Sequence, residues 1–240
     1  FAGYSCGLVL AAGEAGAGKS TTLAAILDRI NRTRYGHILT LEEPVEYLLT
    51  PDKCVVNQRE VGRDTKSFAA GLEAALRADP DVILVGELRD PESIETALAA
   101  AETGHLVLST VRTGSAAGAV DHIVDLFPAK HQPLIRLQLS TTLKAVLSQR
   151  LLPKVGGGRV AACEVMKTDG TIRRLIREGK TAQIPAAVQT PGSAGNILMD
   201  RAIQALFNAG TISRETYESA IQVPDRVPQA VQGRVVGMAR

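Results

Sequence analysis

The stretch Gly13-Glu14-Ala15-Gly16-Ala17-Gly18-Lys19-Ser20 fits the pattern G-x-x-x-x-G-K-S. It follows a short apolar run at 8–12 that is typical of a buried strand, and it precedes a helical pattern of apolar residues at 22–30. A strand, a glycine-rich turn and a helix in this order predict a phosphate-binding loop. We therefore take this stretch as the centre of the fold.

The chemistry of this loop depends mainly on its backbone. Glycines allow successive N–H groups to converge on phosphate oxygens, where a β-carbon would obstruct the approach. Lys19 would reach the β- and γ-phosphates, and Ser20 would hold Mg²⁺ through its hydroxyl. The motif predicts a nucleoside triphosphate without identifying which one, and the predicted contacts are Gly13, Glu14, Ala15, Gly16, Ala17, Gly18, Lys19, Ser20 and Thr21.

The composition excludes several classes of protein. The chain has 240 residues, of which 45% are hydrophobic, and a net charge of +2, so we expect no bulk attraction to nucleic acid or to an anionic membrane. No apolar run approaches the roughly 20 residues of a membrane-spanning helix, and no signal peptide is visible. Cys6, Cys54 and Cys163 are odd in number and far apart, which argues against a disulfide framework or a zinc site and favours a reducing compartment.

Strand and helix patterns alternate through the first 150 residues. Strands are expected at 7–12, 37–41, 55–61, 81–87 and 105–110, and helices at 21–33, 67–77 and 91–103. This alternation predicts an α/β fold with a mainly parallel sheet. We expect a core domain at 1–155, a hairpin turn between short strands near 154–160, a small and mostly helical domain at 156–222, and a flexible tail at 223–240. The helices of the second domain are expected at 171–178, 181–189, 196–208 and 214–221.

Acidic residues follow two of the expected strands. Glu87 comes at the end of the buried strand, and Glu42, Glu43 and Glu46 follow the strand at 37–41. The carboxyl ends of parallel strands meet at one edge of a sheet, which is also where the loop would lie. Transfer of a phosphoryl group to water needs a carboxylate near Mg²⁺ and a group that orients or deprotonates the water. These acids are the candidates for both roles.

The run L-R-A-D-P-D-V-I-L-V-G-E-L-R-D at 76–90 resembles the signature of secretion and type IV pilus ATPases. It occurs together with the phosphate loop, the acidic box at 41–46 and Thr103-Gly104-His105. Within that superfamily, T-I-R-R-L-I-R-E at 171–178 and V-N-Q-R-E-V at 56–61 resemble PilT-type retraction ATPases. The four-cysteine insertion usual in assembly and secretion ATPases is not present.

This resemblance implies a RecA-like P-loop NTPase core with ATP and Mg²⁺ as cofactors. It implies that Lys19 contacts phosphate, that Glu46 polarises water, and that Glu87 is the Walker B acid, which holds Mg²⁺ together with Ser20. His105 matches the first histidine of the family's His box and is expected near the nucleotide. The resemblance also implies a cytoplasmic homo-oligomer, a hexameric ring at the inner-membrane face of the pilus machine that works with the platform proteins. We expect the chain to be a fragment without the family's PAS-like N-terminal domain.

Some residues depart from the family pattern. Arg112 stands where the second histidine of the His box is usual, and we expect its guanidinium to meet the γ-phosphate. Cys6 replaces an arginine, which removes a possible cationic contact to the nucleotide, while Glu14 and Ala15 replace Pro-Thr and Glu43 replaces Asp. The leading interpretation is an ATP-hydrolysing retraction motor. A catalytically impaired nucleotide-binding subunit of the ring and an assembly or secretion ATPase remain the alternatives.

Overall fold

The computed structural model describes residues 1–189 and 195–221. Its centre is a seven-stranded sheet with the order β3-β2-β4-β5-β1-β6-β7. The strands are β1 (Gly7–Ala12), β2 (Gly36–Glu42), β3 (Cys54–Glu60), β4 (Val82–Val85), β5 (Leu106–Val111), β6 (Leu143–Pro153) and β7 (Arg159–Lys167). Neighbouring strands are parallel except β6 and β7, which are antiparallel. The predicted α/β fold with a mainly parallel sheet is confirmed.

Helices cover both faces of the sheet. They are α1 (Lys19–Thr33), α2 (Phe68–Leu76), α3 (Pro91–Glu102), α4 (Ala116–Asp125), α5 (Gln132–Thr142), α6 (Gly170–Arg177), α7 (Ile184–Val188), α8 (Met199–Asn208) and α9 (Arg214–Ile221). Because side chains alternate along a strand, Leu8 and Leu10 of β1 join the core beneath α2 to α6, whereas Val9 packs on the α1 side. This two-sided burial explains why the central strands are continuous apolar runs.

Polar side chains set several helix starts at the expected positions. Ser67 accepts a hydrogen bond from Ala70 N at the start of α2, and Asp90 accepts one from Ser93 N at the start of α3, with Pro91 in the first turn. The α9 helix has the predicted bounds. In the described part of the chain, no helix is long and apolar enough to cross a membrane.

The hairpin near residue 155 differs from the prediction. Short strands were expected on either side of the turn at 154–158, but β6 has eleven residues and β7 has nine. Main-chain pairing with the antiparallel strand β7 extends β6 through residues 151–153. The sheet therefore continues beyond residue 155 to Lys167, and the described chain after it is mostly helical. The division into a core and a helical domain stays a prediction, and the tail predicted at 223–240 lies outside the described residues.

The helix expected from residue 196 begins at Met199. Ile197 instead pairs with Val165 of β7 through two main-chain bonds of 2.8 and 2.9 Å. The carboxylate of Glu164, which is 7% exposed, accepts hydrogen bonds from Ala116 N at 2.6 Å and Met199 N at 3.2 Å. A negative charge at a helix N-terminus is favourable. Glu164 therefore links the first residues of α4 and α8 to β7.

Candidate phosphate-binding site

The loop at 13–18 joins β1 to α1 at the carboxyl edge of the sheet. Gly13, Gly16 and Gly18 have φ values of 151°, 76° and 89°, which favour glycine. A β-carbon on Gly13 would lie 2.7 Å from the carbonyl oxygen of Gln149 in β6. No side chain caps the N-terminus of α1. Its first N–H groups are consequently available to an anion, as the sequence motif predicts.

Lys19 folds back onto its own loop. Its Nζ donates to Gly13 O at 2.8 Å and to Glu14 O at 2.9 Å. Burial lowers the pKa of Lys19, and Arg112 lowers it further, whereas the charges of Glu87 and Glu46 raise it. The ammonium group thus lies within electrostatic reach of two carboxylates and a guanidinium. Phosphate oxygens can take over the contacts that the loop carbonyls now make.

The segment between β2 and β3 lies against the first turn of α1. The Ser20 hydroxyl donates to Glu46 Oε1 at 3.1 Å, and a hydrogen bond of 2.7 Å joins Thr21 Oγ1 to Tyr47 OH. Glu46 is therefore adjacent to the hydroxyl that the motif assigns to Mg²⁺. In the same segment Glu43 forms an ion pair with Arg89 at 2.5 Å, whereas Glu46 is the acid that bonds to Ser20.

Glu87 and Arg112 face each other across neighbouring strand ends. Strand β5 lies between β1 and β4, so the residue after β5 emerges between the phosphate loop and the residues that follow β4. Arg112 Nε lies 2.6 Å from Glu87 Oε1, and its Nη2 lies 3.0 Å from Oε2. Sheet order thus explains why Arg112 is near both Lys19 and Glu87.

A cavity of about 310 Å³ joins these groups, and its lining includes Lys19, Ser20, Glu46, Glu87 and Arg112. Its candidate metal ligands are a hydroxyl and carboxylates, which suit a hard cation such as Mg²⁺. Among residues 1–189 and 195–221, no three or more His, Cys, Asp or Glu side chains come together as a metal site. The Ser20 hydroxyl and the carboxylates of Glu46 and Glu87 fit a cation that takes the rest of its coordination from phosphates and water.

Two predicted positions lie at the opposite edge of the sheet. His105 directly precedes β5, and its Nδ1 contacts Ala100 O at 3.0 Å. Arg112 directly follows the same strand, which at about 3.3 Å per residue separates the two backbone positions by roughly 20 Å. His105 is therefore distant from the phosphate loop of its own chain, and its expected place near the nucleotide stays a prediction. Cys6 precedes β1 at that same edge.

Gln149 was missed by the sequence reasoning. It is 3% exposed, and its Nε2 lies 3.8 Å from the position of a β-carbon on Gly18. Within the described residues its Oε1 has no hydrogen-bond partner. The pairing of β6 with β1 places Gln149 beneath the loop, and the sequence reasoning had not assigned a strand there. Tyr47 and Gln58 were missed for a similar reason, since their contacts depend on how the 43–51 segment folds back.

The chain is similar to known proteins over most of its length. The model of a family described as type II/IV secretion system protein matches residues 3–189. The type IV pilus retractation ATPase PilT of Pseudomonas aeruginosa is 53% identical over 219 residues, which are 91% of this chain and 64% of the relative. A twitching motility protein of Neisseria gonorrhoeae is 50% identical over 210 residues, 87% of this chain and 56% of the relative.

Solved structures show the same likeness. The pilus retraction motor PilT with bound ADP has a TM-score of 0.86 at 48% identity, covering 93% of this chain and 63% of the other. The ATPase DotB of Legionella pneumophila has a TM-score of 0.83 at 32% identity, covering 92% and 61%. This chain thus spans less than two thirds of the length of these relatives.

Proposed function

Because the chain belongs to the type II/IV secretion system protein family, we propose that it is the motor part of an ATPase that powers retraction of a type IV pilus. It binds ATP with Mg²⁺ and hydrolyses the γ-phosphoryl bond, giving ADP and phosphate. The supporting observation is that Lys19, Ser20, Glu46, Glu87 and Arg112 line one cavity beside an uncapped helix N-terminus.

Each of these residues has a role that its position supports. The loop amides and Lys19 bind the phosphate tail, and Ser20 with Glu87 would hold Mg²⁺, whose positive charge would offset that of the phosphates. Glu46 takes the proton of the attacking water. Arg112 leaves Glu87 and binds the γ-phosphate as charge develops on its oxygens. Catalysis then depends on positioning and charge neutralisation more than on covalent chemistry.

Retraction is favoured over assembly or secretion by the relatives. The PilT relative matches over 91% of this chain, whereas a type II secretion system protein E of Klebsiella pneumoniae matches at 46% identity over 62%. The PilT-like motif at 171–178 largely coincides with α6, where Ile172, Leu175 and Ile176 are buried and the arginines are exposed. We assign this basic face to the transmission of motion.

The assembly we propose is a ring of identical subunits, with six as the expected number. It would act in the cytoplasm at the inner-membrane face of the pilus machine, where it engages the platform proteins. One observation counts against an impaired subunit as the alternative. Cys6 precedes β1 at the far edge of the sheet, so the departure at this position lies away from the phosphate loop of the same chain.

The proposal is tested by phosphate release from Mg-ATP in the assembled protein. Lys19→Ala should lower turnover by at least about 100-fold through loss of phosphate binding, and Glu87→Gln by a similar factor with nucleotide binding retained. Lys53→Ala and Glu95→Gln, at exposed positions outside the cavity lining, are matched controls that should keep the rate. Unchanged phosphate release in either site variant would refute the assignment.

A further inference from the structure

A polar cluster lies on one face of β2 and β3 at the carboxyl edge of the sheet. The parallel register pairs Thr40 with Gln58 and Glu42 with Glu60, and alternation along each strand puts all four side chains on the same face. Thr40 Oγ1 donates to Glu42 Oε1 at 2.7 Å, and Gln58 Nε2 donates to the same oxygen at 3.3 Å. We call these four residues the β2–β3 polar cluster.

The segment at 43–51 is anchored to this cluster through its main chain. Gln58 Oε1 accepts from Leu49 N at 2.8 Å, while Gln58 Nε2 donates to Tyr47 O at 2.9 Å. Glu60 Oε2 accepts from Val45 N at 3.1 Å. The carboxamide of Gln58 thus binds the main chain just after Glu46 twice, and the carboxylate of Glu60 binds it just before Glu46.

Apart from its bonds to α1, the remaining contacts of the segment are weak apolar contacts or lie farther along the chain from Glu46. Leu48 is 88% exposed and Tyr47 is 42% exposed, so their side chains contribute little apolar burial. At the far end, the buried Asn31 binds Thr50 O at 2.8 Å and accepts from Asp52 N at 3.0 Å. The main-chain bonds to Gln58 and Glu60 therefore hold the backbone on both sides of Glu46, and the bond between Thr21 and the Tyr47 hydroxyl adds a side-chain contact to α1.

We propose that Gln58 is a positioning residue that holds Glu46 in place for its action on the attacking water. This inference rests on the proposed function, because the position of Glu46 matters to the rate only if the site hydrolyses ATP. Gln58 is part of the cavity lining, but its hydrogen bonds go to Glu42, Tyr47 and Leu49, and in the described chain none goes to the phosphate loop. Its loss should therefore affect turnover more than nucleotide affinity.

The test is Gln58→Met, which keeps the length of the side chain and removes its hydrogen bonds. Because a displacement of about 1 Å can cost about 100-fold in rate, we expect kcat to fall by about 10- to 100-fold while KM for ATP stays within about 3-fold. The Leu49 amide should exchange its hydrogen faster, since its acceptor is gone. Glu46 remains present, so only its position is tested.

Two further variants separate positioning from a general loss of structure. Gln58→Glu keeps an acceptor for Leu49 N but cannot donate to Tyr47 O and places a second charge beside Glu42, so kcat should again fall. Asn57→Ala is the matched control, because Asn57 lies on the other face of β3 and bonds to His37. Its kcat should equal that of the unmodified protein.

The outcomes distinguish this inference from the proposed function. If the unmodified protein releases no phosphate from Mg-ATP, the proposed function fails, and exchange at Leu49 alone decides whether Gln58 anchors the segment. If the unmodified protein turns over and Gln58→Met has the same kcat, or changes only KM, the positioning role is overturned. Equal losses in Gln58→Met and Asn57→Ala would overturn it as well.

Discussion

Arg112 and Glu87 form an ion pair with two parallel contacts, Nε to Oε1 at 2.6 Å and Nη2 to Oε2 at 3.0 Å. The Arg112 side chain is 66% exposed and that of Glu87 is 21% exposed, so the guanidinium is the partner that is free to move. The planar fork of arginine matches carboxylate and phosphate equally well. A bound triphosphate would therefore compete with Glu87 for Arg112.

Substitution of Arg112 should separate charge from geometry. We expect Arg112→Ala to lower kcat for ATP hydrolysis by about 100-fold, because one donor to the developing negative charge is lost. Arg112→Lys keeps the charge but not the fork, so its kcat should fall between those of Ala and Arg. Phosphate release at saturating Mg-ATP measures this, with Arg201→Gln at an exposed position of α8 as the control. Equal rates for Lys and Arg would contradict the bidentate role.

The lowered pKa of Lys19 predicts how nucleotide affinity depends on pH. Burial lowers this pKa below its usual 10.5, so the ammonium loses its proton at a lower pH than an exposed lysine does. The charged form binds phosphate, and affinity should therefore weaken as pH rises through the lowered pKa. Titration of a fluorescent ADP analogue between about pH 7 and 10 measures this, because that range lies below the ordinary pKa of a lysine.

Lys19→Arg is the control for this pH dependence. Arginine keeps its charge throughout the range, so binding by the variant should change little with pH. An equally steep loss of affinity in Lys19→Arg would assign the effect to another group. Affinity that stays constant in the unmodified protein up to the ordinary lysine pKa would contradict the predicted shift.

Local sequence patterns predicted the parts of the site that depend on short segments. The strand, loop and helix around Lys19 follow from spacing within twenty residues, and Glu87 follows from the rule that parallel strands end at one edge. The same rule, applied to strand direction, places His105, which precedes its strand, at the opposite edge of the sheet. The position of Gln149 and the bonds of Gln58 could not be predicted, because they depend on strand pairing and on how the 43–51 segment folds back.

Gly13 and Gly16 should respond very differently to an added methyl group. Both have positive φ, at 151° and 76°, so alanine is strained at each position. A β-carbon on Gly13 would also lie 2.7 Å from Gln149 O and 2.9 Å from Ala17 Cβ, because β1 and β6 are neighbouring strands here. A β-carbon on Gly16 would have no atom within 4 Å apart from those of its chain neighbours. Backbone cannot move aside as a flexible side chain can.

We expect Gly16→Ala to lower the free energy of unfolding by about 1 kcal/mol, the cost of a left-handed alanine. Gly13→Ala should cost about 2–4 kcal/mol, because overpacking against the β6 backbone adds about 1–3 kcal/mol. Urea denaturation followed by circular dichroism measures both, and equal slopes would show that the denatured states are comparable. A cost for Gly16→Ala that equals or exceeds that for Gly13→Ala would show that the close contact with Gln149 is not what requires glycine at position 13.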